Sequence, residues 1–278
     1  MCCVGGLPSG EGLVEMNDAD AHAAAIARGE LGRRGFADGA RYQAVRPDYP
    51  ADALEYLAGA LGLTGASRVL DLGAGTGILT RQLRERFCEV AAVEPSAGMR
   101  SVLAAALDSV TVIDGRDTGI PLPDDCVDAV FVAQAFHWFD GPRALEEIHR
   151  VLVPGGGLAL LWNNRDVSVE WVAALCHAMR WDICRPYAAE TDYTPVLAAG
   201  PFRDIERRRF RHRQILDRQG LYQRVLTTSY IAIMDEPERH ALMADVAAVV
   251  EELPEPITFP YVTEVYRASA VGAEQGSG

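Results

Sequence analysis

Val69-Leu70-Asp71-Leu72-Gly73-Ala74-Gly75-Thr76-Gly77 is a short apolar run that opens into three alternate glycines. The apolar part, Arg68–Leu72, reads as a buried strand, and the glycines as a turn in which a ligand meets bare backbone. Helical periodicity follows over Gly77–Phe87. Strand, glycine turn and helix in that order make the first half of a βαβ unit. Dinucleotide-binding proteins place G-x-G-x-x-G at the same point, so the glycines alone do not discriminate. Two details do. The spacing here is G-x-G-x-G, with Ile78 where the dinucleotide pattern has its third glycine, and Asp71 precedes the loop. An acidic residue there suits a ligand with a positive group, such as the ammonium of an amino acid.

Downstream, Glu94-Pro95 ends a second strand, Glu89–Val93, about 20 residues beyond the first glycine, where a carboxylate accepts from both ribose hydroxyls. Loop and carboxylate together describe a nucleoside with a cationic tail: S-adenosylmethionine (SAM) fits, NAD less well. Further strands read at Val110–Ile113, Val127–Ala133 and Gly157–Trp162, with helices at Ser96–Leu107 and Pro142–Leu152. In the last of these Ala144, Leu145, Ile148, Val151 and Leu152 form an apolar face, and Glu146, Glu147, His149 and Arg150 the other, with His149 read as solvated. A helix over Tyr49–Leu63, opened by Pro50, precedes the first strand. Strands alternating with helices argue for a parallel sheet covered on both faces.

With these elements in order, the sequence resembles the class I SAM-dependent methyltransferases of small molecules, of type 11 and similar to trans-aconitate methyltransferases. Five stretches carry the resemblance: Asp71–Gly77, Val93-Glu94-Pro95-Ser96, Gly115–Leu122, Gln134-Ala135-Phe136-His137-Trp138-Phe139 and Arg150–Gly156. It is close from Phe36 to Asp166 and looser over the last strand. It implies an α/β, Rossmann-like, doubly wound sheet of seven strands, mostly parallel, with an antiparallel last strand near Phe259–Arg267 and added cap helices. It also implies methyl transfer from SAM to a small-molecule acceptor, a carboxylate in the group it most resembles. Cofactor contacts would come from Asp71, Gly73, Ala74, Gly75, Gly77, Glu94, Pro95, Asp117 and Gln134. Arg116-Asp117-Thr118 departs from the usual third motif, so the adenine contact through Asp117 competes with a solvated turn.

Three residues are candidates for catalysis. In the related methyltransferases a strap before the first strand lies over the cofactor, which implies that Tyr42 and Arg46 face the methionine carboxylate or the acceptor. The alternative is that Arg46-Pro47 only fixes an extended lead-in. His137 follows the fourth strand, at the sheet edge that holds ligands. It either takes a proton from the acceptor or packs among Phe136, Trp138 and Phe139.

The remaining sequence bounds the alternatives. The chain has 278 residues, 49% hydrophobic and 23% charged, with a net charge of −13 that disfavours nucleic acid and anionic membranes as partners. Its 26 basic residues are all arginine, which excludes chemistry that requires a lysine amine. The cysteines, at 2, 3, 88, 126, 176 and 184, show no metal-ligand or disulfide spacing, so no metal is expected. Cys176 and His177 read as packing residues. No signal sequence or membrane span reads in the chain, and a cytoplasmic protein is expected. Residues 1–35 read as a flexible arm, and 36–278 as one domain, with a cofactor core at 36–166 and a cap with the last strands at 167–270. Within that second part a helix is expected over Val169–Ile183, an arginine-rich edge strand near Phe202–Arg213, and helix from Gln219 to Glu252 broken near Pro237. A SAM-binding protein without catalysis and a nicotinamide-dependent oxidoreductase are the competing readings.

Overall fold

The computed structural model describes residues 39–181 and 192–272. Its centre is a seven-stranded sheet: β1 (Arg68–Leu72), β2 (Glu89–Val93), β3 (Thr111–Ile113), β4 (Val127–Ala133), β5 (Leu152–Arg165), β6 (Phe202–Leu216) and β7 (Ile257–Ala270). The spatial order is β3-β2-β1-β4-β5-β7-β6. β1 to β5 are mutually parallel, and β7 runs antiparallel to both of its neighbours, β5 and β6. The order reverses between β1 and β4, so a crevice opens there at the carboxyl ends of the strands.

Ten α-helices accompany the strands among the described residues, with a 3-10 turn at Phe136–Trp138: α1 (Gly39–Val45), α2 (Ala51–Ala60), α3 (Ile78–Arg84), α4 (Ala97–Ala106), α5 (Gly141–Val151), α6 (Glu170–Ala178), α7 (Thr194–Ala199), α8 (Arg218–Leu226), α9 (Ser229–Ala232) and α10 (Glu236–Val250). Period-two alternation divides the core. Val69, Phe131 and Leu161 meet Leu54 and Leu57 of α2 and Leu79 and Leu83 of α3 on one face. Leu70, Val130 and Leu160 meet Leu145 and Ile148 of α5 and Leu197 of α7 on the other. A third cluster joins Val172, Leu221 and Leu242, from α6, α8 and α10, to Phe259 and Tyr261 of β7, which makes the cap part of the same packed unit.

The structure extends and corrects several expectations. β5, β6 and β7 are longer than their apolar runs, because β7 is hydrogen-bonded on both edges and draws polar positions of its neighbours into the ladder. β6 is the edge strand that its arginines suggest, with Glu264 and Glu206 accepting from Arg207, Arg208 and Arg209. The helix expected to Ile183 ends at Ala178, followed by a left-handed Arg180 (φ 55°). The 219–252 region breaks twice, after Leu226 and after Ala232, and Pro237 lies in the first turn of α10, where proline's missing N–H costs nothing. His177 is exposed, whereas Cys176 is buried. The lead-in contains a helix, α1, that sequence periodicity does not show. The arm expected at 1–35 lies outside the described residues.

Candidate active site

The turn after β1 is held by its neighbour strand. Gly73 and Ala74 N–H both donate to the Val93 carbonyl, at 2.8 and 3.1 Å. Gly75 has φ 58°, and a Cβ built on it meets nothing within 4 Å, so the loop presents bare backbone to open space. At Gly77 a Cβ would stand 2.8 Å from Leu103 Cγ; this glycine lets α4 close against the loop. The space in front is an open cleft of about 1000 Å³, mouth included, lined among others by Tyr42, Tyr49, Asp71, Gly73, Ala74, Gly75, Glu94, Pro95, Arg116, Asp117 and Gln134.

Two carboxylates flank the loop. Asp71 is 1% exposed, and its Oδ2 accepts from Thr80 Oγ1 at 2.6 Å while Oδ1 has no partner. Burial pushes its carboxyl up to about 7. Glu94 Oε2 accepts from Gly75 N–H at 2.9 Å and Oε1 from Ser96 N–H at 2.8 Å, leaving one further acceptor position on each oxygen. Burial raises this carboxyl too, against the lowering by those two backbone donors. Arg100 fixes the strand end behind it, donating to the Glu94 carbonyl and bridging to Asp114.

The third wall is braced from α5. Glu147 accepts the Ile120 N–H at 2.9 Å, and Arg150 donates to the carbonyls of Ile120 and Leu122 at 2.8 and 2.9 Å. These two side chains, from the polar face of the helix, thus hold the loop that carries Arg116 and Asp117. Asp117 Oδ2 accepts the Asp140 N–H at 2.9 Å, and burial raises its carboxyl. Gln134, just beyond β4, is left-handed (φ 54°), and its Nε2 donates to the Asn163 carbonyl. A non-glycine residue in that region at a cleft wall is strained backbone kept by its surroundings.

The catalytic candidates part company. Tyr42, on α1, lines the cleft, and Arg46 lies over its ring, 4.3 Å from the centroid, while donating to the Thr227 carbonyl. His137 does not line the cleft. Its Nδ1 accepts from Trp162 Nε1 at 3.2 Å and its ring packs on Trp138, which is the packing alternative of the sequence reading. Gly77 also stands behind the cleft rather than in its wall. Tyr49 is one of the wall residues that are not candidates in the sequence, as are Thr76 and Met99. Tyr49 is buried just before α2, with its backbone clamped by Gln82 through bonds of 2.9 and 2.7 Å. An aromatic just before a helix-opening proline gives no signal of this role.

A glycine turn, a buried carboxylate at the end of the second strand and an aspartate with one unpartnered oxygen, all at the switch point of a Rossmann-like sheet, agree with a SAM-dependent enzyme. The chain belongs to the class I SAM-dependent methyltransferases. Residues 70–160 match the family model described as a methyltransferase domain. An uncharacterised methyltransferase of Mycobacterium tuberculosis is 38% identical over 233 residues, covering 82% of this chain and 92% of the relative. A malonyl-[acyl-carrier protein] O-methyltransferase of Pectobacterium atrosepticum is 31% identical over 134 residues, covering 43% of this chain and 53% of that protein. A type II methyltransferase structure from Anaeromyxobacter dehalogenans superposes with a TM-score of 0.57 at 22% identity, covering 82% of this chain and 97% of the other, a likeness of fold.

The residues present fit the cofactor. The unpartnered Asp71 oxygen matches a cationic amino group, and the open backbone at Gly75 leaves room for a ligand where any side chain would intrude.

Proposed function

We propose that this enzyme methylates a carboxylate of a small-molecule acceptor by in-line displacement. The observation that carries this reading is the cleft wall. Among the described residues no histidine lines it, the Tyr42 ring lies under the Arg46 guanidinium, the Tyr49 hydroxyl is held well above its ordinary range by burial, and this reading assigns Asp71, Glu94 and Asp117 to the cofactor. A phenol or amine acceptor starts protonated and needs a base, whereas a carboxylate is ionised at neutral pH and needs none. A partial relative named for O-methylation is in keeping with an oxygen acceptor.

Bound SAM supplies an electrophilic methyl group on a sulfonium. The chain's own part is to bind, orient and dehydrate. Asp71 holds the amino group, Glu94 accepts the ribose hydroxyls, Asp117 faces the adenine edge, and the Gly73–Gly75 backbone fixes the approach. Tyr42 closes the wall, and Arg46, stacked on its ring, orients the acceptor by pairing with a carboxylate through its fork of donors. Alignment and exclusion of water then account for most of the acceleration.

A mass-spectrometric screen for methylated products against a metabolite extract tests the reading, with calorimetry using S-adenosylhomocysteine (SAH) to score binding separately. Methyl esters that vanish in Arg46→Ala and persist in His137→Ala are expected. An N-methylated product, or a neutral-range rise in rate that disappears in His137→Ala, overturns the carboxylate assignment.

A further inference from the structure

Three arginines from distant parts of the chain lie near one another: Arg46 and Arg165 reach the adjacent Thr227 and Thr228, at the end of α8, the helix that carries Arg224. Arg46 follows α1, Arg165 ends β5 and Arg224 lies on α8. Each presents a guanidinium nitrogen sealed from solvent without a hydrogen-bond partner: Arg46 Nε, Arg165 Nε and Arg224 Nη1. Their other contacts are neutral. Arg46 reaches the Thr227 carbonyl, Arg165 reaches Thr228 Oγ1 at 3.4 Å and lies 4.3 Å over the Trp181 ring, and Arg224, 4% exposed, reaches the Tyr261 hydroxyl at 3.3 Å.

No carboxylate among the described residues comes within ion-pair distance of these three. The contrast with the rest of the molecule is sharp: Glu264, equally buried, takes two arginines, and Glu206, Asp128 and Glu147 each take at least one. This chain carries a surplus of acid, so the lack of a counter-charge here is not a shortage of carboxylates. Burial and mutual repulsion hold the Arg46 and Arg165 guanidinium groups below their ordinary range, Arg46 to about 9, with Arg224 the neighbour common to both. Uncompensated buried charge is unfavourable unless a ligand supplies the opposite sign. The cluster adjoins the cleft, because the Arg46 guanidinium stacks on Tyr42, whose ring forms part of the cleft wall.

We propose that Arg46, Arg165 and Arg224 form an anion-recognition site, and that the acceptor carries an oxyanion group, carboxylate or phosphate, beyond the atom that receives the methyl. The assignment to the acceptor rests on the methyl-transfer reading above; the anion site itself rests on the three unpaired arginines. Several guanidinium forks in one neighbourhood suit a group with several oxygens, and a monoanion leaves most of the positive charge uncompensated. The site thereby selects a diacid or a phosphorylated acid over a simple monoacid.

The test uses thermal unfolding of the full chain with succinate, inorganic phosphate and acetate, each against sodium chloride at matched ionic strength. Succinate or phosphate at saturation should raise Tm by about 5 °C and acetate far less. Whichever of the first two acts names the headgroup. Arg224→Met should abolish the rise while leaving the ligand-free Tm equal to or above wild type, since it removes an unpaired charge. Arg165→Gln repeats the comparison at a second position. An equal anion response in wild type and both variants, no response in wild type, or failure of both variants to fold overturns the site. SAH calorimetry on wild type keeps the two readings apart. If SAH does not bind but the Arg224-dependent anion response persists, the methyl-transfer reading fails, and with it the assignment to an acceptor.

Discussion

Replacing Glu94 separates the carboxylate's work in the fold from its work on the ligand. Two of its acceptor positions are filled by the N–H groups of Gly75 and Ser96, at 2.9 and 2.8 Å, and the residue is 8% exposed. Glu94→Ala strands both donors in a buried place, at a cost of about 1–3 kcal/mol to stability, or a Tm lower by several degrees. Glu94→Gln keeps the shape and one acceptor but turns an amide N–H₂ toward one of the two donors, so its stability loss should be about as large. The effect on the ligand is a separate quantity. Loss of charge-assisted bonds to the ribose hydroxyls costs about 1.5–3 kcal/mol, a roughly 10- to 100-fold rise in SAH Kd. Calorimetry well below the Tm of each variant reads the second effect without the first. An SAH Kd within twofold of wild type in both variants, alongside a lowered Tm, would refute the ribose assignment and leave Glu94 as a brace for the glycine loop.

Three further outcomes are expected. Asp71 has a folded-state pKa of about 7 against an ordinary 3.8, so the folded protein holds a proton that the unfolded chain releases; this group's contribution to stability therefore falls as pH rises from about 4 to 7. A cationic ligand group needs the ionised form, so SAH affinity should rise about tenfold between pH 6 and 8, and Asp71→Asn should flatten that profile. Gly75→Ala places a methyl in the open space before the loop on a left-handed backbone; it should cost about 1 kcal/mol of stability and raise the SAH Kd far more than the Tm loss alone would suggest, measured by paired unfolding and calorimetry. Arg150→Met frees the Ile120 and Leu122 carbonyls, and should weaken SAH binding severalfold although Arg150 does not line the cleft; unchanged affinity would remove α5 from the site's support.

What the sequence made legible follows from where the signal is local. The β1 turn and the Glu94 strand end are written in adjacent residues, since a glycine turn and a strand-terminal acid act through backbone geometry at one place. The parallel core was legible for the same reason, each strand being a compact apolar run. The role of Glu147 and Arg150 was not legible because helical periodicity sorts residues by face, and a polar face that grips a neighbouring loop looks the same as one that grips water. Arg165 and Arg224 lie 59 positions apart in the sequence, on a strand end and a helix, and only the packing of the cap on β7 joins them. α1 is only seven residues long, too short to show helical periodicity, so its helix depends on contacts with α8 and α4 that the local sequence does not contain.

The placement of β7 between β5 and β6 sets an order for biosynthesis. On the ribosome β5 and β6 are complete before β7 exists, so each waits with an open edge for a strand that arrives last. Between Leu216 and Ile257 lie 40 residues, which translation supplies in about 2–8 s. During that interval β6 has no partner at all, and its ladder groups are available to any extended chain nearby. The successive arginines Arg207, Arg208 and Arg209 then act as like charges along an unpaired strand, repelling a second nascent copy from the same edge. When β7 arrives, Glu264 enters opposite Arg209 and takes up Arg207 as well, so the charges that guard the waiting strand become the ones that receive its partner.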